Sequence, residues 1–528
     1  MRVAHAEESR VADTVETGER DGHGLSALDG TIIDSIVVET RNIYNTLEPR
    51  YDRWVFRLAN SLHYVTRPKI VRRELFFRVG DPFSLELAEE IARNLRTRLA
   101  LNDAWVAPEI LPNGHLLVRV VTVDKWSLLG GVQVQREGNR TSYQFGFQER
   151  NLLGLHQYLS FDYFVRELDN SYVEAKFSDR RLWGNPVMLT LQYSNDVLNG
   201  IVYSELAHPY YSLSQRWTYY IANLRISQRN DLYHDSIKAA SAQERGDILN
   251  LGGGYRWGSY RTKFGLQGDY RYVYTHFYNR RVISPADSAY IVYPQDTLYH
   301  RLGLTAQYSS YEFTKVSRLN GMRYTEDLTL GFSAGISIGR EFTAHFRDYI
   351  SDGMGVELSY AARWRGHILM TSFDRSINFR ESIVRRRGSS FELKYYNLTS
   401  SWMTVALRSR YVSETRSDGG NTLALGGVNG LRGYDVYYRT GDRLHVVNSE
   451  LRFFPNIELL SVILGGATFL DLGKTWERSG LASRYDYAYG LGIRASLEKL
   501  SKGELLRIDL ARGQSGNWQL SVASHQYF

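Results

Sequence analysis

Cysteine is absent from the 528 residues, so neither a disulfide nor a thiolate metal site is possible. Proline is scarce, at 10, which leaves few points where a β-ladder would be interrupted. No apolar run reaches the ~18 residues of a membrane-spanning helix. The net charge is only +7 over the whole chain. It forms no clustered basic face of the kind that binds nucleic acid, so none is expected as a partner. Such a charge suits anionic lipid or lipopolysaccharide at a membrane rim. The 13 histidines are scattered, without H-E-x-x-H or comparable spacing. Gly252-Gly253-Gly254 and the glycines of 426–433 lack the Lys-Ser/Thr of a phosphate loop. No metal or other cofactor is expected.

Aromatics and glycine are plentiful: 38 Tyr, 22 Phe, 10 Trp and 45 Gly. Aromatic girdles mark both interfaces of membrane barrels, whose apolar residues alternate with polar ones and so escape hydropathy windows. That alternation begins after Trp126 and runs to Phe528. Leu159, Phe161, Tyr163 and Val165 oppose Ser160 and Asp162. Tyr489, Leu491, Ile493 and Ala495 oppose Gly490, Gly492, Arg494 and Ser496, and Leu506, Ile508 and Leu510 oppose Arg507 and Asp509. Some 400 residues of this pattern exceed a usual soluble core, and the charged opposite face suits a watery lumen. The expectation is an all-β transmembrane barrel, with a strand tally between 16 and 19.

Residues 1–30 are polar and read as a flexible segment. They contain no apolar secretory core, and Ala4-His5-Ala6 has the small-x-small form of a cleavage site, so a signal is expected to have been removed. Residues 31–124 read as a small α/β domain. Ile33–Glu39 is strand-like and Lys69–Phe77 helical in pattern. Ser84 is placed to cap a helix whose Leu87, Ile91, Leu95 and Leu99 form a buried stripe. Strands near Ala104–Ile110 and Leu116–Val123 flank a turn at Asn113-Gly114. Extra sequence, Arg41–Arg67, separates the first strand from the first helix.

Leu431-Arg432-Gly433-Tyr434 resembles the VRGF/VRGY signature of the BamA/TamA-type outer-membrane assembly superfamily. Asn448-Ser449-Glu450-Leu451-Arg452-Phe453 and Phe469-Leu470-Asp471-Leu472-Gly473 follow it, like the family's S-x-E-x-R and F-x-D-x-G strands. Asn151-Leu152-Leu153-Gly154 is similar to its N-x-x-G turn, and Arg73-Glu74-Leu75 with Gly80 to the first helix of a POTRA domain, the family's periplasmic module. The resemblance implies one POTRA domain over 31–124 and a 16-strand barrel over 125–528, with the loop at about 414–445 folded inward. It places the chain in a bacterial outer membrane with the POTRA domain in the periplasm. It also implies a weak seam between the first strand, Ser127–Arg136, and the last, Asn517–Phe528. Gly130 and Gly131 interrupt the former and Phe528 ends the latter. By strand parity Glu450 points into the lumen, and Phe469, Asp471 and Gly473 share one face there, so Arg432 has two carboxylates to meet.

Gly331-Phe332-Ser333-Ala334-Gly335 matches the G-x-S-x-G nucleophile elbow. Its residues alternate as a barrel strand does, and an elbow must open a helix, so no enzyme is expected. Asp418-Gly419-Gly420, the Asp-Gly pair that an elbow of the patatin-like kind would use, is set aside with it. The resemblance implies a non-enzymatic insertase. Its clients would be unfolded outer-membrane or secreted proteins, assisted by accessory periplasmic or lipoprotein subunits. The alternative is a two-partner secretion transporter exporting a dedicated substrate.

Overall fold

The computed structural model describes residues 26–49, 51–99, 101–137, 140–166, 171–234, 237–285, 295–322, 324–346, 348–380, 383–416, 423–459, 462–477, 484–496, 505–514 and 516–528. They fall into two compact units. The first comprises 1–129 with 149–157 and 499–502, and the second comprises the rest. The flexible segment expected over 1–30 lies outside the described residues up to 25, and so does Asp418-Gly419-Gly420.

In the first unit a three-stranded sheet has Leu116–Val123 at its centre. Ile33–Arg41 pairs with it in parallel and Asp103–Ile110 antiparallel. The helix Leu85–Arg98 is capped by Ser84, whose hydroxyl accepts from Leu87 N. Its Ile91 and Leu95, with Leu99 just beyond, pack on Ile33, Leu116, Val118 and Val120. The helix read over Lys69–Phe77 is shorter, Pro68–Arg73. Proline opens it, and Phe77 turns into the core instead of extending the helical face. The extra sequence contains a helix of its own, Trp54–Leu62, that the sequence reading left without an element.

The N-x-x-G turn belongs to this unit. Asn151 Nδ2 donates to Tyr64 O at 3.0 Å and Thr66 Oγ1 at 3.1 Å, and Arg67 N donates to Gly154 O. Gly154 sits at φ 75°, and a Cβ there would meet Val65 O at 2.6 Å, so only glycine fits.

The second unit is a closed antiparallel barrel. Twenty-one strand segments form its wall from Leu128–Glu137 to Trp518–Ser524. Thr297–Ser310 and Glu312–Val316 pair with the same neighbour, Glu326–Thr343, and make one strand broken at Tyr311. The described wall therefore has twenty strands, not the sixteen expected. Five follow the signature, so the surplus lies before it. There the first six strands are only 7–10 residues long, too short for alternation to separate them clearly. Outward side chains such as Ile336, Leu451, Leu470 and Leu491 are exposed on the protein surface, as a lipid face requires. Gly331–Gly335 lies inside the strand Glu326–Thr343, with Ser333 level with Ser309 and Ser359, so it makes no strand-to-helix elbow.

Candidate functional site in the barrel lumen

The chain between the strands Met403–Arg416 and Arg443–Leu459 turns into the barrel. Leu423–Leu425 and Arg439–Gly441 form a short ribbon at its root. Leu425, Leu431 and Tyr434 pack on Leu444, Val446 and Ala488 of the wall. Gly430, at φ 109°, passes so close that a Cβ would lie 2.6 Å from the Val446 side chain. Gly433 approaches Gly513 and Ala511 in the same way. Tyr434 donates its hydroxyl to Tyr487 O and accepts from Gln514 N.

This packing fixes Arg432, of which only 2% is exposed. Its Nε and Nη2 make a fork on Asp471, at 2.7 and 2.8 Å. Nη1 donates to Glu450 at 2.6 Å and Asp509 at 3.1 Å. The guanidinium is stacked between two rings, 3.5 Å from the centroid of Phe469 and 3.9 Å from that of Tyr527. Asn448 completes the clasp by donating to Asp471 Oδ1 and to Gly430 O. Gly473 lies against Leu425, where a side chain would collide with the ribbon.

The cluster extends past the residues named from sequence. Arg494 Nη1 and Arg507 Nη1 both reach Asp509, at 2.6 and 3.1 Å. Arg452 Nε binds Glu450 at 2.8 Å. Four guanidinium groups thus surround three carboxylates, all essentially buried. Burying such charges costs several kcal/mol apiece unless each is paired and oriented. The forked geometry of arginine supplies that orientation, and lysine could not.

Arg452 joins two inward-turned pieces of chain to the wall. Besides Glu450 it binds Leu319 O at 2.8 Å and Phe528 O at 2.9 Å. Leu319 belongs to a turn, 317–322, whose backbone N–H groups at Leu319, Asn320 and Gly321 donate to the carboxylate of Glu326. Phe528 packs among Val316, Leu328, Leu330, Ile368 and Tyr396.

That position corrects the expected seam. The last strand stops at Ser524, His525 takes φ 76°, and the chain leaves the wall for the lumen. Phe528 therefore does not edge the seam. Tyr527 donates its hydroxyl to Gly427 O and accepts from Gly430 N, while Gln526 accepts from Arg494 Nε. The polar Gln526 that spoils the alternation of the terminal strand has found a lumenal partner. Gly130 and Gly131 do lie in the first strand, and among the described residues one register pair, Arg136 with Val522, joins it to the last.

No family model and no curated protein matches the sequence. Among solved structures the chain is similar to BamA from Haemophilus ducreyi lacking POTRA domains 1–3. The identity is 12%, the TM-score 0.41, and the match covers 87% of this chain and 82% of that one. It is also similar to CdiB from Acinetobacter baumannii, at 13% identity and TM-score 0.44 over 94% of this chain and 74% of that one. CdiB from Escherichia coli gives 10% identity and TM-score 0.46 over 94% and 76%.

Proposed function

We propose that this protein assembles other proteins into a bacterial outer membrane, without catalysis, through a seam between the first and last strands. The observation that supports the reading best is the clasp on Arg432. It ties the signature loop to three of the five strands that precede the seam, through Glu450, Asp471 and Asp509. The 31–124 domain, POTRA-like and periplasmic in this reading, has two edge strands, Ile33–Arg41 and Asp103–Ile110. An extended client adds its own strand to such an edge through backbone hydrogen bonds. At the seam, a strand of the client pairs with a barrel edge as the barrel releases its own pairing. Unpaired backbone groups are costly in lipid, so exchange of one pairing for another lowers the barrier. The partners are unfolded outer-membrane clients, outer-membrane lipid, and accessory periplasmic or lipoprotein subunits.

The test locks the seam. The chain has no cysteine of its own, so Arg136→Cys with Val522→Cys places a single oxidisable pair at the register match found among the described residues. The oxidised barrel should fail to assemble a client β-barrel in proteoliposomes and recover on reduction. Full assembly in the locked state would refute the gate. Continued export of a dedicated soluble partner through the locked barrel would favour the secretion transporter instead.

A further inference from the structure

The helix Trp54–Leu62 has two apolar faces, and among the described residues only one is covered. Phe56 is buried against Tyr44 and Tyr51, with ring centroids 4.6 and 5.3 Å away. Asn60 fixes the same side: its Oδ1 accepts from Tyr44 N and its Nδ2 donates to Tyr44 O. On the opposite side Trp54 is 75% exposed, with Val55, Leu58 and Leu62 also exposed. At about 100° per residue these four share one arc of the helix. Leu47 and Tyr64, just beyond the two ends, are exposed as well. Apolar side chains exposed together along one helix face mark an interaction site.

We propose that this face is a membrane anchor, seated in the headgroup and acyl boundary of the bilayer that the barrel crosses. Two attachments within the first unit tie the helix to residues next in sequence to the first barrel strands. Ala59 and Trp126 pack on the same aromatic cluster, and Trp126 stands two residues before the first barrel strand begins at Leu128. The segment following the helix is bonded to the turn closing the barrel hairpin 140–166: Tyr64 O accepts from Asn151 Nδ2, and Arg67 N donates to Gly154 O. Leu153 at the tip of that turn is exposed too.

The composition fits lipid better than a protein groove. A tryptophan leads the face, as at membrane–water interfaces. Arg53 and Arg57 are exposed at its border, where anionic headgroups attract them. An interfacial helix of this kind buries its apolar side roughly 5–10 Å into the boundary. The proposal rests on the barrel spanning a bilayer and is independent of what passes its seam.

The full chain, carrying one nitroxide label at a time, is reconstituted in nanodiscs of phosphatidylethanolamine and phosphatidylglycerol. Labels sit at Leu58→Cys or Leu62→Cys, at Ile336→Cys on the outward barrel face, and at Glu89→Cys on an exposed helical site. Relaxation by oxygen should exceed that by a water-soluble nickel chelate at Leu58, Leu62 and Ile336, and not at Glu89. A label at Val55→Cys should lose its oxygen excess in a Leu58→Glu, Leu62→Glu background that leaves Phe56 and Asn60 untouched. Nickel access at Leu58 equal to that at Glu89 would overturn the anchor. So would shielding from both relaxants, which would mean that a protein covers the helix. If Ile336 also lacked the oxygen excess, the spanning barrel would fail, not the helix alone.

Discussion

The ring of Tyr527 lies 3.9 Å over the guanidinium of Arg432, and its hydroxyl bridges the loop backbone at Gly427 and Gly430. The tail beyond the last strand and the signature loop therefore share one site. Tyr527→Phe keeps the stack and removes the bridge, leaving Gly430 N–H and Gly427 C=O without it. The expected loss is about 1–3 kcal/mol of local stability. Amide exchange over 427–434 should accelerate, while exchange in the strand Thr262–Val282 stays unchanged. Equal protection in the variant would remove the bridge from the account.

Arg432→Ala leaves Glu450, Asp471 and Asp509 with one cation fewer in a buried site. Breaking a buried pair from one side typically costs about 3–5 kcal/mol. The barrel should still form, because its wall is held by backbone ladders. The loop should become protease-sensitive and client assembly should fall. Arg432→Lys should recover only part of both, since an ammonium cannot fork onto Asp471 while reaching Glu450. A lysine variant with wild-type loop protection would contradict this.

Arg452→Gln tests whether the two inward segments it bonds act together. Glutamine has too few donors to hold Glu450, Leu319 O and Phe528 O at once. Exchange should rise together in the turn 317–322 and in the tail 525–528. A rise in only one of them would show that the segments are independent.

Gly154→Ala should disturb the first unit. The new methyl meets Val65 O, and φ 75° is unfavourable for alanine. A cost of roughly 1–3 kcal/mol is expected. Amide exchange at Arg67, whose N–H donates to Gly154 O, should be faster than in the wild type, and an unchanged rate would speak against the close approach.

Asp34 supplies a pH dependence outside the barrel. Its carboxyl is held below the usual carboxylate value, first by the Leu116 N–H and then by His115. A lowered value in the fold means that the contribution is present above the unfolded-state pKa and fades as pH falls through the folded one. The Leu116 amide should thus be better protected in the wild type than in Asp34→Asn at neutral pH. That ratio should approach one as the solution is made more acidic than the ordinary carboxylate range. A ratio independent of pH would dissociate Asp34 from this strand pairing.

Strand parity made the lumenal clasp largely legible. Glu450, Asp471 and Phe469 face inward because Leu451 and Leu470 face out, and an arginine between glycines was the cation at hand. Arg494, Arg507 and Asp509 were readable as polar-face residues too. Their membership depended on register, which places Arg494 level with Arg507 and Gly492 level with Asp509. No local pattern fixes that offset. The tail was misread because alternation was carried past Ser524 to the end of the chain, although Gln526 already broke it. The helix Trp54–Leu62 was missed because its two opposed apolar faces blur the single stripe that helical periodicity offers.

The strands Ile237–Trp257 and Thr262–Val282 are 21 residues each, or ~70 Å of ladder. The apolar band of an outer-membrane barrel is only about 25 Å tall, and a tilt of ~40° does not absorb the difference. At the end away from Leu128 this part of the wall stands clear of the lipid as a stiff mast, its face laced by Gln228 and Asn230 to Glu244 and by Asn279 to Gln243. A macromolecule that docks there meets a ruled surface with fixed spacing. The described strand residues there are already held by their ladder, so association with them forfeits little conformational entropy.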